Sequence, residues 1–384
     1  MRTTIFLLAV SSTISGISFR MIEAMLPALA ADFGVSISVA ATVITAFAFA
    51  YGGSQLVHGP LGDRLGTLRY LTWLLACAGV VSIACGFAPG VAALAALRFG
   101  VGLFASASVT LGMAYIGDNV PGDELQPMVA RFISGTIIGH ALGPVVGGGV
   151  TDLLGWRGAF FAIGASFLAV ALMLGVTTRG QWRPLAETSR ANLLGAYLKV
   201  LALPRVRYVL AVTIAETFLF FGPFAFLGAF LQHRFGVSLT MIGIMLAGFG
   251  IGGIIYTTSV RWLLAALRQR GLVLTGGIAA CCCYLAIAAT PVWPVVIVLT
   301  SALGLSFFMI HNTLQVKATE MAPEARATGL CLYSGVWAIG QALGVAAMGA
   351  LVVHFEYVAP LVAFAVLFAL LGVWLSANLS RLSH

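Results

Sequence analysis

The sequence predicts an all-α membrane protein with twelve transmembrane helices arranged as two related six-helix halves. Three observations lead there. Sixty per cent of the residues are hydrophobic and 8% are charged, with a mean hydropathy of +1.04. A soluble domain carries about 25% charged residues, so this chain cannot cover itself with a solvated surface. Twelve segments reach the roughly 20 apolar residues needed to cross the hydrocarbon core. The chain also repeats: Phe33-Gly34-Val35-Ser36 returns as Phe235-Gly236-Val237-Ser238, and Gly139-His140-Ala141-Leu142-Gly143 returns as Gly340-Gln341-Ala342-Leu343-Gly344, at offsets of 202 and 201. Parallel halves with a site between them are a transporter architecture.

The first six spans run roughly over 5–30, 39–59, 70–88, 91–114, 130–151 and 157–177. Arg2 before the apolar run Ile5–Val10 resembles the start of a signal peptide. The apolar segment continues past Arg20 to Pro27 without a cleavage site, so it reads as a retained first span. The second six run roughly over 206–232, 238–260, 271–289, 293–316, 327–351 and 357–378. Between the sets lies the only long polar connection, Thr178 to Pro204. Arg179, Arg183, Glu187, Arg190 and Lys199 alternate there with Leu193, Leu194, Tyr197 and Leu198, as in an amphipathic helix lying on the membrane surface. The expected domains are therefore 1–177, a linker at 178–205, and 206–384.

Basic residues set the orientation. Arg2, Arg64, Arg69, Arg131, Arg179, Arg183, Arg190, Lys199, Arg205, Arg207, Arg261, Arg268, Arg270, Lys317, Arg326 and Arg381 fall at one face, and only Arg157 and Arg234 at the other. That predicts cytoplasmic termini and a bacterial cytoplasmic membrane. The net charge of +8 is spread over short loops, which argues against a nucleic-acid partner. The six cysteines all lie in apolar segments and Cys281-Cys282-Cys283 points to three helix faces, so no disulfide framework and no metal site is expected.

Within the fifth span stands Gly139-His140-Ala141-Leu142-Gly143-Pro144-Val145-Val146-Gly147-Gly148. Glycine is costly inside a helix, and Pro144 removes a backbone hydrogen bond and favours a bend. Glycines one turn apart let a neighbouring helix approach closely. The loop after the second span reads Gly59-Pro60-Leu61-Gly62-Asp63-Arg64-Leu65-Gly66-Thr67-Leu68-Arg69. The fourth span carries Arg98-Phe99-Gly100-Val101-Gly102, and Gly155-Trp156-Arg157 precedes Phe160 and Phe161.

Together these segments resemble the major facilitator superfamily. The fifth-span pattern, with Gly139, Gly143, Pro144, Gly147 and Gly148, is similar to the antiporter motif of its proton-coupled exporters. The second loop resembles the signature G-x-L-x-D-R-x-G-R-K, matching at Gly59, Leu61, Asp63, Arg64 and Gly66. It departs at Thr67 and Leu68, where the basic pair is missing and Arg69 stands one place later. The resemblance implies that Asp63 and Arg64, on a turn shaped by Gly59 and Gly66, gate the basic face by pairing with a helix N-terminus of the other half, where an anion is favoured. It also implies that spans one, four, seven and ten line a central cavity.

Ionisable side chains in the membrane cost several kcal/mol unless paired or hydrated. Arg20 and Glu23 share a face of the first span. Arg98 lies at a depth similar to Glu23 and is expected to pair with it, leaving Arg20 towards the cavity. Glu216, near the middle of the seventh span, has no basic neighbour in sequence. Proton coupling needs a group that changes charge between access states, so Glu23 and Glu216, with Arg98, are the expected proton-coupling residues. Arg20, Glu216, His311, Asn312 and Gln315 are the expected substrate contacts. His140 is a further candidate, with Tyr115 and Asp118 behind it. The phenylalanines of the seventh span, from Phe218 to Phe230, suit an apolar cavity wall.

The expected function is secondary transport by alternating access: proton-driven export of a small organic molecule, as the resemblance to drug/proton antiporters implies. A proton-coupled importer or facilitator for a metabolite, with Arg20 and His311 receiving an anion, stays open. An enzyme is not expected, since no phosphate-cradling loop or metal-ligand spacing is present. The expected partners are a small molecule, protons and the bilayer, with no cofactor and no metal, and the two-half architecture suffices as a monomer.

Overall fold

A computed structural model describes residues 2–182 and 193–379 of the chain. Arg183, Glu187, Arg190 and Arg381 lie outside them. Every regular element among the described residues is helical.

The first span consists of α1 (Arg2–Arg20) and α2 (Ile22–Phe33). The second is α3 (Ile37–Ala40) with α4 (Thr42–Leu65), the third α5 (Thr67–Cys85), and the fourth α6 (Val91–Ala105) with α7 (Ala107–Asn119). The fifth and sixth spans form one helical run, α8 (Gly122–Thr178), interrupted at Gly155. After α9 (Leu193–Ala202) come α10 (Pro204–Phe235), α11 (Leu239–Ala289), α12 (Trp293–Glu320), α13 (Arg326–Phe355) and α14 (Val358–Asn378). The apolar part of α8 is 52 residues long. At 1.5 Å per residue that is about 78 Å, more than twice the hydrocarbon thickness, so α8 crosses twice, turning at Gly155. The 51-residue α11 turns likewise, at Arg268.

The turns carry the repeat into the backbone. Six described residues have positive φ: Gly34, Gly66, Gly155, Gly236, Arg268 and Glu356. They pair as Gly34 with Gly236, Gly66 with Arg268 and Gly155 with Glu356, at the same offsets of 202, 202 and 201. Gly34 and Gly236 end α2 and α10 in the left-handed conformation. In the second half, Arg268 (φ 55°, ψ 175°) and Glu356 (φ 56°, ψ −160°) occupy the region that glycine holds at Gly155 (φ 73°, ψ 167°).

The two halves meet at the face opposite the basic residues, here the far face. A Cβ atom added at Gly148 would collide with Leu239 of the other half and one at Gly243 with Pro144, while nearer mid-membrane one at Gly52 would collide with Gly335. Ser38 Oγ donates to Gly349 O at 2.7 Å. Towards the basic face, Ile133, Ile138, Ile251, Ile254 and Ile255 on α8 and α11 are exposed. The two halves are therefore in contact at the far face.

The linker helix α9 buries Val200 and exposes Leu194 and Leu198, the two-sided pattern of a helix at a membrane surface. Pro60 leaves the Leu56 carbonyl without its helical donor, and Tyr197 Oη of α9 donates to that oxygen at 2.8 Å. The same hydroxyl lies within hydrogen-bonding reach of Cys331 on α13. Tyr197 thus sits between α4 of one half and α13 of the other, four residues below the Gly52–Gly335 contact.

Candidate functional site at the interface between the halves

Charged side chains stand in the middle of an apolar chain, and each one is accounted for. Arg20, at the end of α1, and Glu23, in the first turn of α2, form an ion pair at 2.6 Å (Nη1 to Oε1), with only 2% and 1% of the side chains exposed. The Arg20 guanidinium also lies over the Phe221 ring of α10 at 4.2 Å, with Phe19, Phe224 and Phe249 within 6 Å. A desolvated cation over a ring face is worth about 2 kcal/mol, so aromatic faces take the share of guanidinium solvation that Glu23 does not. Pro27 frees the Glu23 backbone carbonyl from its helical donor, and that oxygen faces Gly228 of α10 in close contact. The pair is sealed against the second half.

The expected Arg98–Glu23 pair is not formed. Arg98 Nη2 donates to Ser18 O at 2.9 Å and Nη1 to Ser18 Oγ at 3.1 Å. Its guanidinium stacks 3.9 Å above Phe47. Arg20 is only three residues from Glu23 on the same span and reaches the carboxylate first. Arg98 instead fixes the α1 backbone five residues before Glu23, while Gly102 lets α6 close onto Phe47 of α4.

In the second half, His311 Nδ1 lies 3.2 Å from Glu216 Oε2 and the Tyr333 hydroxyl 3.4 Å from the same nitrogen. Glu216, which has no basic neighbour in sequence, is fully buried and has one across the helix interface. The His311 ring stacks on Phe307 at 4.9 Å and 13°. Asn312 turns away to hydrogen-bond Tyr256 of α11, and Gln315 is exposed one turn nearer the basic face. Neither joins the cluster. Tyr115 is buried and Asp118 exposed at the end of α7.

Trp337 of α13 connects the two charged pairs, and nothing in the sequence singled it out. Its ring contacts Phe19 and His140 of the first half and Phe221 and His311 of the second, at centroid distances of 5.7, 6.4, 5.7 and 6.3 Å. No spacing rule exposes such a residue, because its neighbours come from four different spans. Its i+4 neighbour Gln341 is 1% exposed. The Gln341 amide atoms, Trp337 Nε1, Glu216 Oε1 and Glu23 Oε2 have no hydrogen-bond partner among the described residues.

The fifth-span motif divides its work between two neighbours. A Cβ at Gly139 would run into the α1 backbone at Thr13 and one at Gly147 into the Met21 backbone between α1 and α2, and one at Gly143 would sit 2.6 Å from Arg20 Cβ. Gly148 and Pro144 instead face α11 of the other half. The bend expected at Pro144 is not a break: α8 leaves helical dihedrals only at Gly155.

The signature loop holds no latch in this conformation. Asp63 is exposed and forms no ion pair with a described residue; Arg64 is half-buried, and a Cβ at Gly59 would meet open space. Gly66 supplies the positive-φ turn between α4 and α5. A latch of the expected kind stands at the opposite end. Asp152 Oδ2 accepts from Thr240 N at 2.7 Å and Thr240 Oγ1 at 2.6 Å, and Oδ1 from Leu239 N at 3.3 Å. This carboxylate from the first half caps the N-terminus of α11 in the second. At the same face Asp32 accepts from Arg157 and Trp156.

Among the described residues no group of His, Cys, Asp and Glu could hold a metal ion, and the cysteines are free thiols.

Two six-span halves around a buried polar interface define a transporter, and comparison with known proteins agrees. A sequence model described as Major Facilitator Superfamily matches residues 8–345. The chain belongs to the major facilitator superfamily. The uncharacterized MFS-type transporter YceJ of Bacillus subtilis (strain 168) is 24% identical over 368 residues, covering 94% of this chain and 92% of that one. Multidrug export protein EmrB of Escherichia coli (strain K12) is 26% identical over 205 residues, 53% of this chain and 38% of EmrB. Riboflavin transporter RibZ of Clostridioides difficile (strain 630) is 28% identical over 152 residues, 39% of this chain and 33% of RibZ. Among solved structures, a bacterial homolog of the human lysosomal transporter Spinster, inward-facing and unoccupied, superposes with a TM-score of 0.75 at 18% identity, covering 99% of this chain and 98% of that one. A peptide transporter does so at 0.78 and 16%, covering 98% and 94%.

Proposed function

We propose that the protein exports a small organic molecule in exchange for protons. The observation that carries this reading is the pair of buried carboxylates, one per half, each bonded to a single basic partner at the interface between the halves: Glu23 with Arg20 and Glu216 with His311. Rocking the halves changes what surrounds each carboxylate, and surroundings set its proton affinity. Glu23 and Glu216 carry the protons. Arg98 acts on Glu23 indirectly, by fixing the Ser18 turn. Arg20, His311 and the rings around Trp337 contact the substrate, and Asn312 and Gln315 lie along the path towards the basic face. Asp63, Arg64, Gly59 and Gly66 gate that face.

The excess of basic residues orients that face to the cytoplasm of a bacterial inner membrane, with both termini inside. The protein works as a monomer. A membrane potential supplies about 2.3 kcal/mol per charge per 100 mV, and a pH gradient adds to it. The importer reading placed an anion on Arg20 and His311, but Glu23 pairs with Arg20 and Glu216 lies against His311, which weighs against uptake of an anion and leaves export. Partial similarity to a protein named for multidrug export supports the same direction.

The test is ethidium uptake into inverted membrane vesicles under an imposed pH gradient, acid inside. Gradient-dependent uptake that requires the protein is the expected result. Uptake indifferent to the gradient in every variant contradicts proton coupling.

A further inference from the structure

Resting on the reading of the interface as the substrate site, we propose that His140 and Trp337 are the two jaws of a clamp for a flat aromatic substrate bearing a hydrogen-bond acceptor on its edge. The rings come from opposite halves, His140 from α8 and Trp337 from α13, and lie within 13° of parallel with centroids 6.4 Å apart. Carbon atoms in contact are about 3.5–4.0 Å apart. A flat ring between two others therefore needs roughly 7 Å, within an ångström of the present separation. Phe19 closes one side, at 5.7 Å from both rings. His311 closes another, at 6.3 Å from Trp337.

The edge chemistry is a second, independent observation. Trp337 Nε1 and both amide atoms of Gln341 are buried and unpartnered among the described residues, and Gln341 is 1% exposed one turn from Trp337. A buried indole N–H is left a donor only, so it selects an acceptor such as a ring carbonyl or ring nitrogen. Leaving such a group unsatisfied is costly, which favours a ligand that meets it over a purely apolar one. His140 and Gln341 hold equivalent places in the two copies of the repeat, so the motif that packs α8 also delivers one jaw.

Placing the jaws on separate halves has a functional consequence. A ligand gripped by both senses the relative position of the halves, and only differential affinity of this kind shifts a conformational equilibrium. The Arg20 guanidinium is already paired with Glu23, so the clamp selects by shape and edge chemistry.

The experiment is equilibrium binding of acridone and benzophenone to the purified full-length protein in detergent. Both are neutral diaryl ketones; acridone is flat and benzophenone is twisted. Acridone is expected to bind about tenfold more tightly. Trp337→Leu and His140→Ala are each expected to weaken acridone roughly tenfold, the loss of one stacking face. His140→Phe keeps a ring and retains most of it, which guards against misfolding; Trp337→Phe keeps the stacking face but not the N–H and is expected to fall between the native chain and Trp337→Leu. No saturable acridone binding, equal affinity for benzophenone, or unchanged acridone affinity in both ring-deleting variants overturns the clamp. No gradient is present, so loss of gradient-driven transport with intact acridone binding refutes proton coupling alone. Gradient-driven ethidium transport without acridone preference refutes the clamp alone.

Discussion

His311 Nδ1 lies 3.2 Å from Glu216 Oε2, and no other described residue bonds that carboxylate. Beside the packing of Phe220 and Phe221 on Phe307, this polar contact joins the seventh and tenth spans, and its strength depends on the protonation of its partners. Removing the charge of Glu216 breaks the proton link while leaving a neutral amide to bond His311. Glu216→Gln is expected to lower gradient-driven efflux at least about tenfold, the equivalent of about 1.4 kcal/mol, while substrate counterflow without a gradient persists. Loss of both assigns Glu216 to substrate binding instead.

The motif glycines separate by neighbour. Gly139→Ala pushes a methyl group into the α1 backbone inside one half, and overpacking of this kind costs about 1–3 kcal/mol. A lower melting temperature is expected. Gly148→Ala and Asp152→Asn act across the halves, at Leu239 and at the α11 N-terminus. Both should favour opening of the far face, roughly fivefold for the lost cap, with little change in melting temperature. Cysteine accessibility at the far face reads the difference.

Arg268 and Glu356 stand where the first half has Gly66 and Gly155. Non-glycine residues there cost about 1–3 kcal/mol. Arg268→Gly and Glu356→Gly should each raise the melting temperature of the purified protein. A fall at both positions contradicts the strained turns.

Tyr197 supplies the donor that Pro60 denies to Leu56 O. Burial, with Cys331 beside it, pushes its phenol up to about 12, so it remains an O–H donor at neutral pH. Tyr197→Phe should loosen α9 from the gap between α4 and α13 and raise the rate of maleimide labelling at Cys331 severalfold. An unchanged rate would mean that the ring alone holds the linker.

The helical, twice-six-span architecture was legible because hydropathy and the 202-residue repeat are properties of the chain itself. Arg20 and Glu23 were legible as neighbours because three residues make one helical turn. The Arg98 contact was misjudged, since equal depth on two helices says nothing about which faces meet. The Glu216–His311 contact and the position of Trp337 depend on how spans seven, ten and eleven rotate against each other, which packing decides. Asp152 was passed over because its partners are the backbone N–H groups of Leu239 and Thr240 and one threonine hydroxyl, which no charge pattern announces.

The central claim is that protonation of Glu23 and Glu216 shifts the halves between two access states. The most direct measurement places spin labels at Ser134 of α8 and Thr258 of α11 in a cysteine-replaced background; both positions are exposed towards the basic face. Distances are then recorded by double electron–electron resonance across pH 5 to 9, a range of roughly four units centred on neutrality. The account predicts two distance populations whose ratio changes with pH in the otherwise native chain and becomes pH-independent in Glu23→Gln/Glu216→Gln. A ratio that ignores pH in the native chain, or an unchanged pH response in the double variant, contradicts it.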